Sequence, residues 1–321
     1  MKDRLVSICV PTYNSAFFLK ETLESIVNQS FRNIEIIIGD NASNDRTIDI
    51  IKDFAEEDDR ISFYVNNSNI GYSSNCNKLL SLAKGDYVAI YHSDDVYEAD
   101  IVQEEVDFLN NNPNCLGVFT SFQEIDALSR ILSNSKYPIK SNQNTIEVDL
   151  YRYIKLVLLQ GGSCFCCPTS MIRKEVYSQL SGYDVNLKYV EDQDMWARIL
   201  MLGPLAIINR KLIKYRIHNY QGSSVYQKRE IGSFSLSFKH VVEFINKNLN
   251  INEFNEEICR SEALEYLFFS KIAAKKNDYS KFIENINNSK QRFNFGFFSK
   301  FGLVQNFPIP KLLFVIARLG L

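Results

Sequence analysis

The chain has 321 residues, 45% of them hydrophobic, and 36 basic against 38 acidic side chains leave a net charge of −2. That length supports roughly two domains with a sizeable core, and so even a balance gives no reason to expect a nucleic-acid partner. Seven cysteines, an odd number spread from Cys9 to Cys259, read as thiols of a reduced, cytoplasmic protein in a chain too long to need staples. Cys164-Phe165-Cys166-Cys167 lacks the second Cys/His pair of a zinc site and reads as small buried hydrophobes. The N-terminus passes from charge straight into a strand-like run without a signal-peptide core, and no window of about 18 uncharged apolar residues predicts a membrane span.

Residues 5–10 form a short apolar run of β type, closed by the turn chemistry of Pro11-Thr12-Tyr13-Asn14. Asn14 can cap the next segment, where Phe18, Leu19, Thr22, Leu23, Ile26 and Val27 recur at helical spacing. Residues 34–38 are continuously apolar, as a strand covered on both faces requires, and 39–45 end it in a loop of short polar side chains before a helix over 47–54. A strand over 61–65, a loop over 66–71 and a helix over 74–83, with Leu79, Leu80 and Leu82 inward, lead to the stretch AKGDYVAIYHSDD. There a turn at Lys84-Gly85 introduces an apolar strand over 87–91, and Asp94 and Asp95 stand where it runs out. Hard oxygen donors at the carboxyl end of a buried strand suit Mg²⁺ or Mn²⁺ carrying a diphosphate. Strand and helix alternating at this spacing predict a doubly wound, mostly parallel α/β sheet, and the chain has neither GxGxxG nor GxxxxGK[ST] to mark a dinucleotide site or a P-loop.

Beyond a helix over 101–109 and a strand over 116–120, periodicity weakens until a helix over 148–159, which Gly161-Gly162 breaks. A strand over 169–172 precedes a helix over 191–202 whose first turn carries Glu191, Asp192 and Asp194; helix-dipole stabilisation accounts for those acids as readily as chemistry does. Residues 205–208 and 212–217 are expected to pair as an antiparallel edge ending at His218. The pattern places a catalytic domain at 1–225 and a helical region at 226–321, with Phe238, Val241, Val242, Ile245, Leu264, Leu267 and Phe268 at core spacing. From Lys271 onward nine Lys or Arg stand against two acids, Asp278 and Glu284. Residues 291–321 mix aromatics and aliphatics with Arg292, Lys300, Lys311 and Arg318, which leaves two roles open, peripheral contact with the inner face of a membrane or packing on the catalytic domain. Assembly into a homo-oligomer is a third use for the helical region.

VSICVPTYN, GDNASNDRT, the NxG of Asn69-Ile70-Gly71, HSDD and EDQDMW, in that order, resemble the family 2 glycosyltransferases of GT-A fold over about residues 5–220. The resemblance implies that Pro11, Thr12 and Tyr13 line a base pocket and that Asp40 accepts a hydrogen bond from the base imide, with loop capping as its bland alternative. A carboxylate can only accept, so uracil or thymine fits and cytosine does not. It further implies that Asn69, Gly71 and Ser93 approach the nucleotide, that Asp94 is a metal ligand reached by His218, and that Asp192, beside Glu191, is the general base of an inverting transfer. Asp95 and Trp196 are candidates for acceptor or sugar contact, Trp196 being equally readable as core. Two departures stand out: His92 occupies the first carboxylate position of the usual Asp-x-Asp, and Cys76-Asn77 stands where many relatives carry Arg-Asn, which removes a cation near the phosphates.

The expected activity is transfer from a nucleotide-diphosphate sugar, UDP-linked in preference to dTDP-linked donors such as a rhamnosyl donor, to a saccharide or lipid-linked acceptor in cell-surface polysaccharide synthesis. The competing class is an inactive module that binds a sugar nucleotide; the base candidate Asp192 argues against it, since binding alone needs no base.

Overall fold

A computed structural model of the chain describes residues 4–132, 143–160, 162–219, 221 and 235–292. The chain divides into two compact units, Met1–Tyr153 with Ser163–Ser224, and Ile154–Gly162 with Val225–Leu321.

In the first unit, β1 (Val6–Thr12) has all seven residues buried, and β2 (Ile34–Asp40) and β4 (Tyr87–Ile90) flank it in parallel. Such continuous apolar runs belong to strands covered on both faces. The cover includes the apolar stripes of α1 (Leu19–Val27), α2 (Thr47–Glu57) and α4 (Ile101–Asn111), whose Leu23, Ile26, Ile51, Val102 and Val106 share one core with Val6, Ile8 and Ile36. With β3 (Ile61–Val65) parallel to β2, the order β3-β2-β1-β4 reverses direction between β1 and β4. A ligand crevice belongs outside the carboxyl ends of strands at such a switch point. β4 pairs with β1 only as far as Cys9↔Ile90, while β1 continues to Thr12. Pro11, which has no N–H to give, therefore lies beyond the end of that ladder.

The other half of the sheet is mixed. β8 (Ser170–Arg173) runs antiparallel to β4 and to β6 (Gly117–Ile125), and β6 runs parallel to β9 (Leu205–Arg216). The expected antiparallel pair within 205–217 is not formed: both runs belong to β9, one strand of twelve residues. Asn209, Arg210 and Lys211 read as a turn because they are polar and exposed, yet they form an irregularity that β6 follows with register shifts on either side of Ser121. The antiparallel partners of β9 are instead β5 (Val96–Tyr97) and β7 (Thr145–Val148).

In α3 (Tyr72–Leu82), Leu82 faces outward, against expectation; the inward residues are Ser73, Asn75, Cys76 and Leu79. The polar Asn75 is tolerated there because its amide donates to the Gly39 carbonyl at 2.7 Å. α5 (Leu150–Gln160), α6 (Lys174–Gln179) and α7 (Glu191–Leu200) complete the unit, α5 passing into the second one.

The second unit is helical among its described residues: α8 (Leu236–Asn248), α9 (Asn255–Lys275) and α10 (Tyr279–Arg292). Ser235 caps α8 by accepting the Phe238 N–H at 3.1 Å. Ala273 and Ala274 of α9 form a small core with Phe282 of α10. Leu264 and Phe268, expected inside, are exposed, because the inward side of α9 is made of Ala263, Phe269, Ser270 and the two alanines. No helix among the described residues is long and apolar enough to cross a membrane. The membrane-contact expectation for 291–321 lies outside the described residues except for Gln291 and Arg292 at the end of α10.

Candidate active site at the carboxyl ends of β1 and β4

After Ile90 the chain leaves the sheet, and each residue of His92-Ser93-Asp94-Asp95 is held by a separate partner. The Tyr97 hydroxyl accepts the His92 N–H at 2.7 Å, and Ser15 and Ser93 share a hydroxyl hydrogen bond of 2.7 Å. Arg216 donates through Nε to the Asp94 carbonyl at 2.7 Å and through its backbone N–H to Asp95 Oδ1 at 2.8 Å. Thr22 of α1 donates to the Asp95 carbonyl at 2.7 Å.

Asp94 reaches outward, and His218, two residues past the end of β9, places Nε2 2.9 Å from Asp94 Oδ2. Asp95 turns inward and is 1% exposed. Its Oδ2 has no hydrogen-bond partner, and burial, with Asp94 alongside, pushes its carboxyl well above the ordinary carboxylate range. Asp95 is therefore too deeply covered for the acceptor contact the sequence suggested. His92 donates to or accepts from the Tyr72 hydroxyl at 3.1 Å, and burial lowers its pKa. Among the described residues, His92, Asp94 and Asp95 bring one ligand atom each within 4.8 Å of one another. An orphaned carboxylate oxygen, a second carboxylate and imidazole nitrogen in one small volume fit a divalent cation such as Mn²⁺.

On the nucleotide side, Pro11 and Thr12 are buried and Tyr13 is half exposed at the end of β1. Asp40 is fully buried and acts on its own loop, accepting the Ser43 N–H at 2.9 Å and the Ser43 hydroxyl at 2.5 Å. The NxG loop is tied down by a set of asparagine amides. Asn41 donates to Asn69 Oδ1 at 3.0 Å and accepts from Asn66 at 3.1 Å and from the Ile70 N–H at 2.9 Å. Asn66 also donates to Asn75 Oδ1, and Asn69 accepts the Gly71 N–H. Gly71 sits at φ +85°, where a side chain is strained.

The acidic cluster lies at the N-terminus of α7. Asp192 accepts the Gln193 N–H at 2.7 Å, Asp194 pairs with Arg198 at 2.6 Å, and Glu191 has a buried, unpartnered Oε2 with its pKa raised by burial. Asp194 is thus structural. Burial, then Asp95, and then Cys167 and Asp192, raise the thiol pKa of the half-buried Cys166. Trp196 is not available to a sugar, being fully buried and edge-on to Phe119 at 4.9 Å.

Arg216, Tyr97, Ser15, Thr22, Asn41 and Asn66 were not among the residues singled out by sequence.

The sheet order and the site at its switch point are those of a GT-A fold. S. aureus TarS 1-349 in complex with UDP-GlcNAc matches with a TM-score of 0.61 at 17% identity, over 89% of this chain and 90% of that one. The mannosyltransferase PcManGT from Pyrobaculum calidifontis, in complex with GDP-Man and Mn²⁺, matches with a TM-score of 0.61 at 17% identity, over 98% of this chain and 80% of that one. In sequence, an uncharacterized glycosyltransferase of Methanocaldococcus jannaschii is 31% identical over 225 residues, 68% of this chain and 73% of the relative. One from Haemophilus influenzae is 29% identical over 235 residues, 70% of this chain and 69% of the relative. The model of Glycosyl transferase family 2 matches residues 7–181, and the chain belongs to that family.

Proposed function

We propose that this chain transfers a sugar from a UDP-linked donor to a hydroxyl of a saccharide or lipid-linked acceptor, with inversion at the anomeric carbon. The observation that carries the reading is the Asp94–His218 pair, 2.9 Å apart, above the orphaned Asp95 Oδ2 at the carboxyl end of β4. Asp94 and His218 would hold a Mn²⁺ or Mg²⁺ ion, with Asp95 and His92 at hand behind them; when bound, the cation supplies positive charge to the departing diphosphate.

The chain's own residues do the rest. Tyr13 offers its exposed ring to the base. Asp40 accepts the imide N–H, Asn69 and Gly71 present backbone to the nucleotide, and Ser93 fixes the loop between base and diphosphate. Asp192 accepts the proton of the attacking hydroxyl, and Glu191 lies beside it with an oxygen that has no other partner. Since a base does nothing for binding, the acid pair favours turnover over an inactive binding module.

An imide-reading carboxylate accepts thymine as readily as uracil, and the Pyrobaculum relative binds GDP-Man. The test is a thermal-shift panel of UDP, dTDP, GDP and CDP, each with and without Mn²⁺. UDP with Mn²⁺ is expected to give the largest rise in Tm, followed by dTDP. A GDP response above both would overturn the donor assignment, and no response to any nucleotide would overturn the reading.

A further inference from the structure

Two residues of the loop described above, Asp94 and Asp95, lead back to Arg216, which is 1% exposed. Its backbone N–H goes to Asp95 Oδ1 and its Nε to the Asp94 carbonyl. Nη1 donates to Ser129 Oγ at 2.9 Å and to the Asp126 carbonyl at 3.3 Å, and Nη2 to Glu21 Oε2 at 2.6 Å. Ser129 in turn donates to Glu21, closing a triangle. The guanidinium lies 4.8 Å from the centre of the Phe18 ring, and His218 packs on the same ring, with centroids 4.5 Å apart. Arg216 thus reaches Asp94 through its guanidinium, Asp95 through its backbone N–H, and His218 through a shared aromatic ring.

We propose that Arg216 is the positioning residue of the metal site: it touches neither donor nor acceptor and sets the geometry in which Asp94 and His218 meet a divalent cation. This deepens the functional reading above and rests on it. A planar, permanently charged guanidinium fork meets four acceptors at fixed angles while lying over a ring, which a lysine ammonium cannot do. Glu21, 46% exposed at its side chain, anchors the outer end of the fork and so acts on the cation at one further remove.

The test is Mn²⁺-dependent binding of UDP, followed by calorimetry, in wild type, Arg216→Lys and Glu21→Gln, with Tm recorded for each. Groups behind metal ligands are worth about 10- to 100-fold in metal affinity, and Arg216→Lys is expected to weaken Mn²⁺ by that factor while metal-free UDP binding stays within a few fold. Its transfer activity should return as Mn²⁺ is raised, whereas a merely structural defect stays insensitive to the ion. Should Arg216→Lys fail to fold, Glu21→Gln decides, with a smaller but measurable rise in the Mn²⁺ requirement. Variants that match wild type in Mn²⁺ affinity overturn the assignment of Arg216 alone. Wild-type protein that binds UDP equally with and without Mn²⁺ overturns the metal reading and this proposal with it.

Discussion

Ser15 and Ser93 share a hydrogen bond 2.7 Å long across 78 positions of sequence, joining the loop after β1 to the loop after β4. Ser15 also donates its N–H to Thr47 Oγ1 at 2.8 Å, at the start of α2, so the contact ties the loop after β4 to the start of α2. Ser15→Ala removes the hydroxyl and leaves that of Ser93, which is 8% exposed, without this partner. The expected cost is about 1 kcal/mol of stability, with a several-fold rise in the KM for donor and a smaller change in kcat. Steady-state kinetics and a melting curve check it.

The asparagine set makes a second prediction. Asn75 is 1% exposed, donates to the Gly39 carbonyl, and accepts from Asn66 and from the Tyr64 hydroxyl at 3.0 Å. Asn75→Ala removes three hydrogen bonds in and around a buried site and is expected to cost about 1–3 kcal/mol, read as a fall in the denaturation midpoint without change in slope. Nucleotide affinity should fall too, because Asn66 and Asn41 carry the disturbance to the NxG loop. Asn75→Asp is the sterner variant, since the group opposite it is a carbonyl that needs a donor.

A third prediction concerns stability against pH. Glu105 on α4 is fully buried beside the Tyr91 hydroxyl, and burial, opposed only in part by Tyr91, pushes its pKa well above the ordinary carboxylate range. The raised folded pKa means that the neutral acid is the form the fold accepts. Its contribution is whole below the unfolded carboxyl pKa and is lost as pH climbs through the folded value. Glu105→Gln removes this titration while keeping the shape. Its Tm should therefore gain on wild type as pH rises from about 5 to about 9, a gain absent at the acid end. A constant difference across that window would place the titrating group elsewhere.

The parts of the fold written in contiguous apolar runs were legible in the sequence: β1, β2 and β4, and the loops of short polar residues that end them. Asp94, Asp192 and His218 could be picked out because each stands at the end of such a run or in the first turn of a helix. What could not be read was placement that depends on a distant partner. Leu82 and Phe268 are apolar and exposed because the inward faces of α3 and α9 are set by Asn75 and by alanines, whose fit appears only in the packed structure. The twelve residues of β9 look like two strands because the irregularity at Asn209–Lys211 has the composition of a turn, and only the β6 register shows it to be continuous. Arg216 went unnoticed since nothing within ten residues of it predicts Glu21, Asp94 or Ser129 as its partners.

The account depends on one crevice serving both acidic clusters, with Asp94 on the cation and Asp192 on the acceptor proton. Calorimetric titration of UDP with and without Mn²⁺ into wild type, Asp94→Ala and Asp192→Asn, paired with turnover of the UDP-sugar that the protein accepts, separates the two roles. The expected result is that Asp94→Ala loses the Mn²⁺-dependent gain in UDP affinity, while Asp192→Asn keeps it within a few fold and has no measurable transfer. An Asp192→Asn protein that still transfers sugar, or an Asp94→Ala protein that still responds to Mn²⁺, would contradict it.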